Sequence, residues 1–288
     1  MLFRSVLARE TPGGILKPMP SLDSLVATHR TVLLIDSASA QIQVGLWQRD
    51  AEVLWRQSDQ EAGIAIFACV AAVLALARIG VADLGALVFC EGPGSILGIR
   101  TAAMALRVWS AAADRPRPTY AYRSLELLAN DLQSGGVSGA QQAGVGGPGD
   151  LPEVAQTSKP ALPTTDKCGA APRPFAVVAD ARRESWHWVD GPVSGPAGRL
   201  RRVPTTELLA FTGEVFAPAG FRTWSQPARP ISTIAYSLPV LWARQRGADL
   251  LHPAPEPDAF LHEDATYVTW TPQIHRAGVR SPPTRAGA

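Results

Sequence analysis

The chain has 288 residues, 46% of them hydrophobic and 18% charged, and a formal net charge of +2. This suits one large or two small globular units with a real core; the charge is too small to argue for nucleic acid, and the longest uncharged apolar run, 63–77, is too short to span a membrane. Cys69, Cys90 and Cys168 are odd in number and scattered, with neither zinc spacing nor a disulfide framework, and no apolar leader opens the chain, so a reducing, cytoplasmic setting is expected.

Residues 1–29 read as a disordered tail, with 30–133 as a first lobe. Three strands are expected at 32–35, 41–47 and 52–56, joined by short turns. Ile42, Val44 and Leu46 alternate with Gln43, Gly45 and Trp47, the period of a half-buried strand. The Asp36-Ser37-Ala38-Ser39 turn offers a carboxylate and two hydroxyls, but it lacks the glycine that lets backbone N–H groups wrap a phosphate.

Residues 62–79 predict a helix whose single charged side chain is Arg78. A helix on one face of a sheet needs only one apolar stripe, so a helix apolar all round must be covered on its far side too, by this chain or by a partner. Ile64, Phe67, Val70, Ala71 and Leu74 recur at three- and four-residue spacing and define one face.

A buried strand at 86–90 then runs into Gly92-Pro93-Gly94-Ser95, and a helix over 96–113 follows, with Ser95 as its cap. Such a turn can aim free N–H groups and the positive end of a helix at an anion; a tight turn without ligand is the competing reading. Asp36, Ser37, Ser39, Gly92, Gly94, Ser95, Gly98 and Arg100 are the candidate phosphate-loop residues. The second helix carries a polar stripe at Arg100, Arg107, Ser110 and Asp114, and Pro116 and Pro118 end it. A short strand and a Ser124-capped helix are expected over 119–133.

Between 134 and 174, fourteen of 41 residues are Gly or Pro and none is aromatic. This stretch reads as a flexible insertion. Order resumes over 175–275, read as a second lobe with a helix that could return to the first, and 276–288 reads as a tail. Residues 175–180 and 185–190 predict a hairpin in which Asp180 falls where Asp36 falls in the first. The Arg182-Arg183 and Arg199/Arg201-Arg202 clusters are short and read as solvated surface. An amphipathic helix is expected over 231–247. His29, His187, His252, His262 and His275 show no helical pairing, so no metal site is expected, and no Ser–His–Asp set can be picked out for peptidase chemistry.

Gly92-Pro93-Gly94-Ser95 with Gly98-Ile99-Arg100 resembles the signature of the bacterial TsaB family. Leu33 to Ser39, Ser124-Leu125-Glu126-Leu127-Leu128-Ala129 and Asp180-Ala181-Arg182-Arg183-Glu184 resemble three further family segments in the same order, and Glu263 to Val268 resembles its terminal strand. Ile96-Leu97 stands where the family has Phe-Thr, and the 134–174 insertion is foreign to it. The resemblance implies an α/β, duplicated actin/hexokinase/Hsp70-like fold of two lobes, each with a mixed sheet and packed helices. It implies a non-catalytic scaffold in the complex that forms N6-threonylcarbamoyladenosine in tRNA. The partners implied are a catalytic TsaD-like sister subunit that supplies metal and active site, a TsaE-like ATPase subunit, a second copy when the chain is alone, and tRNA only through the complex. No cofactor is expected in this chain itself, with ATP left to a complex interface. Ile64, Phe67, Val70, Ala71, Leu74, Arg100 and Arg107 are the interface residues implied. The alternatives are an independent ATP-binding enzyme of the same fold and a self-associating homologue that has lost its partner.

Overall fold

The computed structural model describes residues 19–115, 117–136 and 173–260. The first element is a helix, α1 (Leu22–His29), where a disordered tail was expected. Ser21 caps it by accepting the Ser24 N–H, and Leu22, Leu25 and Val26 bury one face. It packs on the strand that follows it, and its N-terminal end is held from the far end of the chain. The Asp23 N–H donates to the Arg246 carbonyl, and the Leu251 N–H to that of Pro20.

The first sheet begins as a meander: β1 (Thr31–Asp36), β2 (Ile42–Gln48) and β3 (Leu54–Ser58) pair antiparallel. After α2 (Ala62–Ala77), β4 (Ala86–Gly92) pairs parallel with β1. After α3 (Ile96–Ala111), β5 (Thr119–Arg123) pairs parallel with β4. Both crossovers advance in one direction across the sheet, and right-handed connections then bring both helices to one face, where α2 and α3 touch. Helix α4 (Ser124–Gln133) leaves β5 directly and lies between two sheets, against β4 and β5 on one side and the next two strands on the other.

Those strands repeat the plan. β6 (Phe175–Asp180), β7 (Ser185–Gly191) and β8 (Arg201–Pro204) form a second meander. After a short α5 (Thr205–Ala210), β9 (Glu214–Pro218) joins β6 in parallel, and β10 (Ser232–Ile234) joins β9. Both sheets therefore have the order third, second, first, fourth, fifth. This repeated order is the α/β actin-like fold.

The second lobe is thinner. Helix α5 has six residues, and among the described residues no helix lies between β9 and β10. Large side chains take over the covering work: Trp186 and Trp188 are buried in a separate small core with Val178, Val203 and Leu208, and Trp188 meets Phe211 edge-on at 5.0 Å.

The chain then returns to the first lobe. Helix α6 (Leu238–Gln245) packs on α4, and β11 (His252–Pro253) pairs antiparallel with β5 and extends the first sheet. The helix expected over 231–247 is thus shorter, with a strand at its expected start. Pro239 in the first turn of α6 suits a helix that begins there and disfavours helical backbone ahead of it. Strand β2 also departs from expectation, because every residue from Ile42 to Trp47 is buried, not one face only. Gln43 escapes an unsatisfied burial by donating to the Tyr236 carbonyl and accepting the Leu238 N–H. Most of the 134–174 insertion, the 263–268 strand, the 276–288 tail and Cys168 lie outside the described residues.

Candidate functional site

Helix α2 turns Ala65, Ile66, Cys69, Val70, Val73 and Leu74 into the core. Val70 and Leu74, expected on an open partner face, are therefore sheet-facing residues; a helix apolar all round gives no sequence clue to which side the sheet takes. Its open side carries Ile64, Phe67, Ala68 and Ala71. Beside it, α3 buries Ile99, Ala102, Ala103 and Leu106 and leaves Ile96, Leu97, Met104 and Val108 at the surface.

Of eleven large apolar side chains exposed among the described residues, seven stand on these two helices: Ile64, Phe67, Leu76, Ile96, Leu97, Met104 and Val108. They are not scattered. Phe67 meets Trp109 edge-on at 6.1 Å, and between the helices lies an open groove of about 360 Å³ lined by Phe67, Arg100, Thr101, Met104 and Val108. Exposed apolar side chains are seldom gathered this closely on the surface of a single chain. Arg100 and Arg107 sit on its margin, 3.6 and 3.9 Å from the Asp258 carboxylate. All three are about half exposed, so these pairs contribute little to stability and leave the arginines free to exchange partners. Met104, Val108 and Trp109 were not among the interface residues expected from sequence. Apolar residues at 96, 97, 104 and 108 carry that signal in the sequence, interleaved with the arginines of the polar stripe.

The candidate phosphate loops do come together, but onto each other. The Ser95 N–H donates to the Ala38 carbonyl at 2.7 Å. A Cβ on Gly94 would lie 2.3 Å from that carbonyl oxygen, and one on Gly98 would lie 2.5 Å from the Ser37 oxygen. These glycines admit the neighbouring turn's backbone. Ser95 caps α3 through the Gly98 N–H, and the Ser39 hydroxyl is engaged with the Gln41 backbone. Ser37 is buried.

Asp36 is a structural anchor, not a ligand-facing group. It is fully buried and accepts the Ala38 N–H at 2.8 Å and the Tyr122 and Tyr236 hydroxyls at 2.5 and 2.7 Å. Burial raises its carboxyl above the usual aspartate range, with these donors offsetting part of the effect, and burial beside Asp36 drives both tyrosines well up. Tyr236 arrives from beyond the second sheet, so the carboxylate ties the two halves together.

A second polar cluster lies at the same junction. Glu91 binds Arg123 at 2.8 Å and His252 at 3.1 Å. Burial alone would raise its carboxyl, but these two partners outweigh it and hold it below the usual range. Glu126 on α4 receives Arg123, Arg199 and the Leu200 N–H. His187 is half-buried on β7, and among the described residues no three His, Cys, Asp or Glu side chains converge on a point suited to a metal ion. No helix among them is long and apolar enough to cross a membrane.

No protein-family model matches the chain, and no curated protein does. Among solved structures it is similar to YeaZ from Pseudomonas aeruginosa, with 18% identity and a TM-score of 0.45 over 76% of this chain and 97% of that one. A second structure, described as an uncharacterized protein with similarity to the peptidase YeaZ from Pseudomonas aeruginosa, gives the same identity and TM-score over 95% of its length. A Ppx/GppA family member from Aquifex aeolicus is similar at 10% identity and TM-score 0.30, over 66% of each chain. The fold is read from the chain itself, whose twice-repeated strand order is that of the α/β actin-like fold.

Proposed function

We propose that this chain is a TsaB-like scaffold subunit of the complex that forms N6-threonylcarbamoyladenosine in tRNA, and that it docks its catalytic sister subunit on the outer face of α2 and α3. In the absence of that subunit, a second copy takes the same face. The observation that carries this reading is the clustering of exposed apolar side chains on the two helices. The signature Gly92-Pro93-Gly94-Ser95 opens α3, so the motif positions the same helix that presents Leu97, Met104 and Val108. By this reading the chain contributes no catalytic group, and the sister subunit supplies the metal and the reacting residues. The inward-facing, tyrosine-bound Asp36 speaks against the alternative of an independent ATP-using enzyme, which needs that turn open to phosphate.

Ala71→Glu tests the proposal. Ala71 is exposed at the middle of α2, so the isolated variant should fold and show an unchanged helical circular dichroism spectrum. A glutamate there must lose its water at an apolar interface without a counterion, which costs several kcal/mol, roughly the whole energy of a modest complex. The variant should fail to copurify with a tagged sister subunit and should elute as a monomer alone. A folded Ala71→Glu protein that still copurifies would overturn the reading.

A further inference from the structure

We infer that the β6–β7 turn, with the loop that follows β9, forms a docking surface for single-stranded RNA. The assignment to RNA, and not to another polyanion, rests on the proposed function. The surface itself rests on different residues. Asp180 is the builder: its carboxylate accepts the Arg182 N–H at 2.7 Å on one oxygen and the Trp224 and Ser225 N–H groups at 2.8 and 2.6 Å on the other. One buried side chain thereby fixes two loops against each other. Burial opposes ionisation, but these donors outweigh it and keep the carboxyl below the usual range.

On this base Arg182 lies over the Trp224 ring, 4.2 Å from its centroid, while Trp224 stays 51% exposed. Arg183 and Arg222 are exposed in the same two loops. Arg182, Arg183 and Arg222 form no ion pair among the described residues, whereas Arg201 on the adjoining strand is bound to both Asp190 and Glu207. Arg182, Arg183 and Glu184 hold φ of 63°, 51° and 55°, three consecutive side chains in a backbone region that only glycine enters freely. Such an outlier persists where the surrounding structure imposes it, and it is a pointer to function. The corresponding turn of the first lobe places small Ala38 under Gly94 and Ser37 under Gly98, and presents no cation.

An exposed indole with unpaired arginines around it is the chemistry of single-stranded nucleic-acid binding: the ring takes an unstacked base and the guanidinium groups take phosphate. The residues flanking Trp224 are Thr223 and Ser225, and Glu184 and Gln226 lie in the same loops. A protein interface would centre its aromatic anchor in an apolar patch, as the α2–α3 face does and this one does not.

Fluorescence anisotropy of a labelled single-stranded oligoribonucleotide of about 12 nucleotides, titrated with the full chain at low salt, tests the inference. The wild-type chain should bind, and a duplex of the same sequence should bind more weakly because its bases are not free to stack. Trp224→Ala should weaken binding about tenfold, and Trp224→Phe should restore most of it. The Trp224 backbone N–H survives both changes, so the clamp to Asp180 and the melting temperature should be unchanged. Arg183→Ala or Arg222→Ala should each lower the slope of log K against log salt by about 0.7. No binding by the wild-type chain, or undiminished binding by a folded Trp224→Ala variant, would overturn the inference. So would loss of the sister subunit, and not of RNA, in that variant, which would make this a protein contact. Ala71→Glu should bind the oligoribonucleotide as wild type does, so failure of the scaffold reading and failure of this one are separately visible.

Discussion

Helices α2 and α4 invert the usual expectation about which helix is buried. α2 contains no charged residue over Ala62–Ala77, yet it leaves Ile64, Phe67 and Leu76 in water. α4 carries Glu126 and Asp131, yet seven of its ten residues are buried, both acids included. The difference lies in what each polar group meets. Glu126 receives a backbone N–H and two arginines, and Asp131 receives the Gln245 amide at 3.1 Å and Arg244 at 3.1 Å. Polar residues on α4 thus mark contacts that the chain makes with itself. Their absence from the outer side of α2 marks a surface to which, among the described residues, the chain supplies no partner.

Four measurements put this contrast at risk. The largest effect belongs to Leu128→Ala on α4, a fully buried side chain between the sheets. It should cost about 2–5 kcal/mol in denaturant unfolding, by lost burial and a residual cavity; a loss below about 1 kcal/mol would mean that α4 is not the central layer. Next is Tyr236→Phe, which removes one of the two hydroxyls held by buried Asp36. It should cost about 1–3 kcal/mol, read as a lower melting temperature.

A smaller effect follows from acid. Glu91 is held below its ordinary value of about 4.5 by His252 and Arg123, against the opposing effect of burial. The folded chain therefore binds this proton less readily than the unfolded chain does. The contribution is fully present above about 4.5 and is lost as pH falls through the lower folded value. Hydrogen exchange should show β5 and β11 loosening first in that window, with α2 and α3 unchanged. The smallest effect is at the open face. Leu97→Ser, at 73% exposure, should change stability by no more than about 0.5 kcal/mol while it weakens association.

The first meander, strands β4 and β5, the β6–β7 hairpin and helices α2 to α4 were legible in sequence, because each is signalled within a dozen residues by period, turn or cap; β8 was not, its Arg201-Arg202 having the look of solvated surface. What escaped depends on distant partners. α1 is only eight residues long, too short to stand alone in water, and it is helical where Arg246 and Leu251 meet it. Gln43 looked like the solvent side of a strand until Tyr236 and Leu238 arrived to bond it. At the candidate site, the two helices were identifiable by composition, but the side each turns outward was not. Trp224 carried no sequence signal. Its place beside Arg182 is created by Asp180, 44 residues away.

The return of α6 and β11 to the first lobe has a consequence for how the molecule is made. A ribosome that has released residues 31–123 has delivered five of the six strands of the first sheet. The edge of β5 stays unpaired, Asp36 lacks its second tyrosine, and the start of α1 lacks its backbone bonds to Arg246 and Leu251 until residues 236–253 emerge. Contacts this distant close late and fold slowly. The first-made half of the protein is therefore the last to be finished, and a nascent chain interrupted after the second sheet holds an incomplete first lobe with an open strand edge, the kind of surface that chaperones hold and aggregates recruit.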